Sequence, residues 1–125
     1  MHKLYFDGGK KDSKISYGFV IKNESGKIVY RASGELEAKS ITCNGAEYIA
    51  LIIGLSCCIA LGLKQIEVYG DSSAVINNMN NLTKNIKNAN KLFGPTAKKF
   101  ASLFESISFE WIPRKFNYEA DRETR

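Results

Sequence analysis

Alternating hydrophobic and polar positions predict three β-strands in the first third of the chain. These strands cover residues 3–8, 15–22 and 27–34. The glycine, lysine, aspartate and serine residues at 8–13 predict a turn after the first strand, and residues 23–26 predict a hairpin loop between the other two. We therefore expect the chain to begin with an antiparallel meander.

The pattern then changes to a long apolar helix. Residues 48–63 carry no charge, Thr42 and Asn44 are N-cap candidates, and Gly62 is typical of a helix end. Glu47 is expected in the first turn, where a negative charge suits the helix dipole. A membrane span needs about 20 apolar residues, and this run is shorter and interrupted by glycine and serine. We expect a buried helix instead.

Shorter elements follow, separated by polar residues. Asp71 and Ser72 are placed to cap a helix, and residues 81–94 are Asn-rich without an apolar period. The predicted elements are a strand at 66–70, a helix at 73–80, a helix that starts at Gly94–Pro95, a strand at 107–113 and a short helix at 118–125. Because strands separated by helices pair in parallel, the β-β-β-α-β-α-α-β-α order predicts a mixed sheet.

Composition narrows the class of protein and of partner. The 125 residues suit one domain, residues 1–125, and the net charge of +5 with a pI near 9.1 favours an anionic partner. The cysteines Cys43, Cys57 and Cys58 have neither the number nor the spacing of a disulfide framework or a zinc site. With no secretory signal at the start, we expect a reduced, cytoplasmic protein.

Four acidic residues, far apart in the chain, stand in contexts that place a carboxylate at a strand end or a helix start. They are Asp7 in Asp-Gly-Gly, Glu47 in Asn-x-x-Glu, Asp71 in Gly-Asp-Ser, and Asp121 in Asn-x-x-Ala-Asp. Taken singly, each is better explained as a turn, cap or surface residue, because Asp caps are common. Carboxylates gathered together resist joint ionisation unless a cation neutralises them, and Mg²⁺ prefers such oxygen ligands.

The order and contexts of these four acids resemble type 1 ribonuclease H, over residues 4–121. The resemblance implies an α/β, ribonuclease H-like fold: a five-stranded mixed sheet ordered 3-2-1-4-5, with helices on both faces. It implies an endoribonuclease that hydrolyses the RNA strand of RNA:DNA hybrids with two Mg²⁺ ions, Mn²⁺ being an alternative, and leaves 5′-phosphate and 3′-hydroxyl ends. Asp7 would bridge both ions, Asp121 would hold the nucleophile side, and Glu47 with Asp71 the leaving-group side.

Residues expected to contact the substrate follow from the same resemblance. Cys43 stands where the family usually has Asn, and Ser73 replaces a frequent Gln, which leaves the strictness of hybrid recognition open. Asn88 would complete a phosphate pocket with Thr42, or is an ordinary loop residue. The full expected set is Gly8, Gly9, Thr42, Cys43, Asn44, Ser73 and Asn88.

Two family parts are absent from the sequence. Many members carry a His ten residues before the last Asp, where this chain has Trp111. Members that lack this His commonly have an Arg seven residues before the last Asp, and Arg114 matches that position. Arg114 is therefore the fifth predicted catalytic residue, or else a surface residue. No basic protrusion is inserted, so the chain resembles a short form. A smaller cationic patch, or a plain solvated face, is offered by Lys84, Lys87, Lys91, Lys98 and Lys99.

Other functions stay open at this point. The tail 122–125 is charged where Leu and Ala are expected, which suits a catalytically weak nucleic-acid-binding domain that keeps the fold, such as one piece of a larger polyprotein. A DNA-directed nuclease of the same fold is a third possibility. The truncated C-terminal helix is expected to hold Asp121 loosely, and Glu110 and Glu119 are left out of the site. An RNA:DNA hybrid is the expected partner, with no membrane, and the protein is expected to be a monomer.

Overall fold

The computed structural model describes residues 1–82 and 88–124, and the side chains of 88–90 are left aside. The elements, in chain order, are β1 (His2–Lys11), β2 (Lys14–Lys22), β3 (Ile28–Glu37), α1 (Cys43–Ala60), β4 (Gln65–Gly70), α2 (Ser73–Met79), α3 (Asn88–Ala101), β5 (Ser106–Trp111), a 3₁₀ turn (Arg114–Phe116) and α4 (Tyr118–Glu123).

The strands form one mixed sheet in the order β3-β2-β1-β4-β5, which confirms the predicted topology. Strands β1, β2 and β3 pair antiparallel as the expected meander, whereas β4 pairs in parallel with both β1 and β5. The central strand β1 therefore has a neighbour on each side. Its backbone is held more firmly than that of an edge strand.

Helix α1 lies across the sheet and supplies much of the core. Thr42 caps it by accepting a hydrogen bond from the Gly45 N–H at 3.1 Å, and Gly62 ends it with a φ of 78°. Leu51 and Leu55 are fully buried. By length and composition alone α1 could cross a membrane, but half of it is buried inside the fold. The packing agrees with the buried-helix interpretation.

Strand β1 is longer than predicted. Pairing with β2 continues as far as Lys11 opposite Lys14, so Gly8 and Gly9 belong to the strand and not to a turn. The reversal is made instead by two residues, and Asp12 takes a φ of 58° there. A residue of this type tolerates that left-handed conformation because its short polar side chain can bond locally.

Helix α3 begins at Asn88, six residues before the predicted start at Gly94, and Pro95 lies inside it. Packing explains the extension better than helix propensity does. The Phe93 ring stacks on Tyr48 of α1 with 6.3 Å between ring centroids, and a Cβ on Gly94 would approach Asn78 Nδ2 to 2.6 Å. Residues 83–87, including Lys84 and Lys87 of the predicted cationic patch, lie outside the described residues.

Candidate metal centre and active site

Two parallel strands bring Asp7 and Asp71 to the same edge of the sheet. Strands β1 and β4 are in register as far as Tyr5 opposite Tyr69, so two residues later Asp7 lies on β1 and Asp71 directly follows the end of β4. Asp7 is 2% exposed, and the Asp71 side chain is 7% exposed. Carboxyl ends of parallel strands are where open α/β sheets place their ligands.

Glu47 reaches the same point because α1 lies directly on β1. A Cβ on Gly8 would be 2.4 Å from the backbone of Ala46, so only glycine allows this approach. The Gly8 N–H consequently donates a hydrogen bond to Glu47 Oε1. Glu47 is the fifth residue of α1 and lies in its second turn. The prediction that it occupies the first turn is wrong, since the helix begins at Cys43.

Asp7, Glu47 and Asp71 form a compact carboxylate cluster. One oxygen from each lies within 4.8 Å of the others. Burial, followed by the charge of Asp71, raises the pKa of Asp7 to about 7. Burial, followed by the charges of Asp7 and Asp71, raises the pKa of Glu47 well above its usual range. The cluster therefore binds protons more readily than isolated carboxylates do.

An all-oxygen cluster with this electrostatic load fits a hard divalent cation. Asp7 Oδ1 is buried and accepts no hydrogen bond from any described residue. A buried acceptor without a donor is costly, and a cation relieves both that cost and the repulsion among the three charges. Mg²⁺ and Mn²⁺ both accept such ligands.

Asp121 lies beside this cluster without belonging to the 4.8 Å group. It is the fourth residue of α4, is half-buried, and shares a side-chain hydrogen bond with Asp7 that raises the pKa of Asp7 further. Helix α4 is short, as predicted, but it is not loosely held. Ala120 is fully buried, and a Cβ on Gly18 of β2 would approach Glu123 Cβ to 2.5 Å.

The turn after β4 leaves the Asp71 carboxylate available to a ligand. Ser72, not Asp71, caps α2, because its hydroxyl accepts from the Val75 N–H at 3.4 Å. Trp111 Nε1 donates to the Asp71 backbone carbonyl at 3.1 Å. Arg114 Nε lies 3.9 Å from Asp71 Oδ2 on a side chain that is 78% exposed. The Arg114 guanidinium, which was predicted to act at the site, thus lies beside the cluster and is open to solvent.

An open cleft of about 570 Å³ lies over the cluster. Most of the predicted substrate-contact residues line it together with Glu47, Asp71 and Arg114: they are Gly8, Gly9, Cys43, Asn44 and Ser73. Thr42 stands at the adjoining helix start as its N-cap. The Asn88 side chain lies outside the described residues, so its predicted contact stays a prediction.

Charged residues around the cleft differ from the expected patch. Lys10, which the sequence reasoning did not select, lines the cleft, and its Nζ donates to the Lys39 carbonyl at 2.8 Å. Lys91 and Lys99 are exposed on α3, and Lys98 Nζ donates to Asn81 Oδ1 at 2.9 Å. Lys10 was missed because the strand was expected to end before it.

The acids left out of the predicted site have other surroundings. Glu110 is exposed on β5. Glu119 pairs with Lys22 of β2, and both side chains are about one-fifth exposed. Asn117 was not among the predicted site residues, although it stands in the Asn-x-x-Ala-Asp context of Asp121. Its buried side chain reaches Phe6 and Asp71. Its nearness in sequence to Asp121 was the signal that could have found it.

The fold and the acidic cluster together define a ribonuclease H-like protein. The chain belongs to the reverse transcriptase-like family, whose model matches residues 5–123. The solved structures that the chain resembles include ribonuclease H proteins. It superposes on the N-terminal RNase H domain of rv2228c from Mycobacterium tuberculosis with a TM-score of 0.89 and 29% identity, covering 98% of this chain and 89% of that one.

Two further structures agree. RNase H1 from the halophilic archaeon Halobacterium salinarum NRC-1 gives a TM-score of 0.91 at 27% identity, covering 98% of this chain and 92% of that one. LC11-RNase H1, solved in complex with an RNA/DNA hybrid, gives 0.88 at 26%, covering 98% and 93%. The bifunctional protein Rv2228c of M. tuberculosis is 34% identical over 120 residues, which are 93% of this chain and 32% of that protein. The chain thus spans about a third of this curated relative.

Proposed function

We propose that this protein hydrolyses the RNA strand of RNA:DNA hybrids and leaves 5′-phosphate and 3′-hydroxyl ends. The observation that carries the proposal is the cluster of Asp7, Glu47 and Asp71, three carboxylates from three elements within 4.8 Å under an open cleft. Such a cluster suits metal-dependent work on phosphate. The hybrid bound to LC11-RNase H1, a neighbour of the same fold, supports the choice of substrate.

In this proposal Asp7, Glu47, Asp71 and Asp121 would hold two Mg²⁺ ions. When bound, the ions would activate the attacking water and stabilise the leaving oxygen of the phosphodiester. The protein keeps Asp7 and Glu47 out of solvent, so the carboxylates meet their ligand already oriented and with little water to displace. Gly8 contributes by allowing the close approach of α1 rather than by a side chain.

Substrate recognition falls to the start of α1 and the start of α2. Asn44 and Ser73 are exposed in the cleft, and Asn44 Oδ1 accepts a hydrogen bond from the Ser72 hydroxyl at 3.4 Å. That contact ties the two helix starts together and fixes polar groups that can bond an RNA 2′-hydroxyl, the group that distinguishes RNA from DNA. Cys43 offers a weaker donor beside them.

Arg114 is assigned an electrostatic role. An arginine guanidinium does not shuttle protons but binds phosphate through several N–H donors, so Arg114 would position a phosphate or assist product release. Its 3.9 Å separation from Asp71 Oδ2 and its exposure leave it able to turn towards a substrate phosphate.

Hydrolysis of end-labelled substrates tests the proposal. RNA:DNA hybrid, duplex DNA and duplex RNA are incubated with Mg²⁺ and with EDTA, using Asp7→Asn as the inactive control, and product ends are typed with a phosphatase. We expect Mg²⁺-dependent cleavage of the hybrid only. Equal cleavage of duplex DNA would indicate a DNA-directed nuclease, and tight hybrid binding without cleavage would indicate a binding domain.

A further inference from the structure

A buried amide joins the elements that carry the acids. Asn117, the residue before α4, is 1% exposed. Its Nδ2 donates to the Phe6 backbone carbonyl at 2.9 Å and approaches Asp71 Oδ2 at 3.5 Å. Because a carbonyl only accepts hydrogen bonds, the NH₂ end of the amide must face Phe6. The side chain thus contacts β1 one residue before Asp7 and also contacts Asp71 itself.

The backbone of the same residue begins the helix that carries Asp121. The Asn117 carbonyl accepts from the Asp121 N–H at 3.0 Å, the first turn of α4. One residue therefore connects the strand of Asp7, the carboxylate of Asp71 and the helix of Asp121.

This arrangement has a stability cost. Asn117 Oδ1 is buried and has no hydrogen-bond donor in the part of the chain that the structure describes. An unsatisfied buried oxygen typically destabilises a protein, and such groups require a reason. A leucine would fill similar space without that cost but would remove the donor to the Phe6 carbonyl and to Asp71. An aspartate would add a fifth acid beside Asp7, Glu47, Asp71 and Asp121.

We infer that Asn117 is a positioning residue that sets the distance between the Asp7–Asp71 pair and Asp121 for metal binding. The inference rests on the proposed function, since it takes these acids as the metal ligands. Groups that orient metal ligands typically contribute about 10- to 100-fold to metal affinity or activity when removed. A neutral amide that donates to a ligand carboxylate and to the neighbouring strand fits that role.

The test compares Asn117→Ala with Asn78→Ala. Asn78 is also a buried amide, 5% exposed, whose Nδ2 donates to the Tyr48 hydroxyl at 2.7 Å, and its bond lies within the helical layer. Mn²⁺ alone is titrated into each protein by calorimetry, without nucleic acid, and the Mg²⁺ dependence of hybrid hydrolysis is measured separately. We expect Asn117→Ala to weaken Mn²⁺ binding by about tenfold or more and to raise the half-saturating Mg²⁺ concentration similarly.

Both variants are expected to lose stability, but Asn78→Ala should bind Mn²⁺ within about twofold of wild type. If Asn117→Ala does not fold, Asn117→Ser, which keeps a hydroxyl donor, takes its place with the same expectation in weaker form. Wild-type Mn²⁺ affinity in the Asn117 variant, or equal weakening in both variants, would overturn the inference. A wild-type protein that binds Mn²⁺ but cleaves no hybrid would refute the proposed function and leave the positioning role standing.

Discussion

The predicted site residues are held in two different ways. Asp7, Glu47 and Asp71 stand on β1, α1 and the end of β4, where ladder hydrogen bonds and core packing fix the backbone. Two further residues follow β5: Arg114 lies in the three-residue 3₁₀ turn, and Asp121 lies in the six-residue helix α4. The first group is positioned by regular secondary structure. The second depends on individual side-chain contacts.

The second region shows that a short helix need not be a loose one. Isolated helices of this length are marginal in water, because few hydrogen bonds offset the cost of the first turn. Here tertiary contacts replace length: Ala120 is buried, Glu119 pairs with Lys22, and Glu123 packs on Gly18. Position in the fold, rather than helix length, decides how firmly Asp121 is held.

The largest difference in activity is expected between two single variants, each of which neutralises one acid from one of the two regions. Asp7→Asn removes the central member of the buried cluster and should lower hybrid hydrolysis by more than about 100-fold, beyond the usual effect of a group that only supports a ligand. Asp121→Asn leaves the three-carboxylate cluster intact, so measurable activity should persist, particularly at raised Mn²⁺ concentration. Initial rates over a Mn²⁺ series compare the two variants.

Equal loss in both variants at every Mn²⁺ concentration would show that the cluster and Asp121 act as one unit. Full activity of Asp121→Asn would instead remove Asp121 from the site.

A pH-dependent change in stability is expected from the buried cluster. Well below the ordinary carboxyl pKa values of about 4, Asp7 and Glu47 are protonated in both the folded and unfolded states. As pH rises, the unfolded chain loses protons that the folded protein keeps, since the pKa of Asp7 is raised to about 7 and that of Glu47 is raised also. The stability that these groups contribute is therefore fully present at low pH and is lost as pH rises through neutrality.

Thermal unfolding of metal-free protein in EDTA at pH 5, 6.5 and 8 measures this loss. Mg²⁺ should stabilise the protein most at pH 8, where the carboxylates are most repulsive. Asp7→Asn should flatten the pH dependence and raise the melting temperature of the metal-free protein at pH 8. If the melting temperature of the variant and the wild type changed equally with pH, Asp7 would not be the cause of the pH dependence.

Periodicity predicted most of the strands and helices and a mixed sheet, because alternation and apolar runs lie in short stretches of sequence. The sheet order and the choice of the four acids followed from the resemblance to ribonuclease H, which rests on short sequence contexts. Strand alternation identified β1 and β4, and the Gly-Asp-Ser context placed Asp71 at a strand end. Predictions were wrong where a distant contact decides the outcome. Strand β1 continues past Gly8 because β2 pairs with it, and α3 begins early because Phe93 packs on Tyr48.

The same limit applies within the site. Gly8 is important because the backbone of Ala46, 38 residues away in sequence, approaches it closely. The sequence around Gly8 does not predict this contact. Asn117 likewise bonds Phe6 across 111 residues. Residue types could identify which groups are able to hold a metal, but the groups that orient them are recognised only once the chain is folded.

Arg114→Ala should have a moderate effect, confined to turnover. The Arg114 side chain is 78% exposed and supports no core contact, so folding should be unaffected. If it acts on phosphate during the reaction, kcat should fall several-fold while hybrid affinity, measured in Ca²⁺, changes little. Arg122→Ala, a change to another C-terminal arginine, is the control. Wild-type kinetics in Arg114→Ala would mean that Arg114 is a surface residue without a role in the reaction.

The smallest effect is expected from the ion pair that ties α4 to the sheet. Lys22 Nζ contacts Glu119 and lies 5.2 Å from the centre of the Tyr5 ring, and the bond to Glu119 raises the pKa of Lys22. The pair is only partly exposed, so it should contribute more than a typical surface pair, at about 1 kcal/mol. Glu119→Gln should lower the melting temperature by about 4 °C and reduce activity only slightly.

Glu123→Gln on the same helix is the matched control, because its partner Arg31 is 3.9 Å away and 62% exposed. A smaller stability loss is expected there. The double variant Lys22→Met/Glu119→Gln isolates the pair, since a coupling free energy near zero would mean that the two side chains act independently. In that case burial of Ala120, rather than the ion pair, holds α4 against β2. The region after β5 would then be fixed by side-chain packing alone, without a contribution from this ion pair.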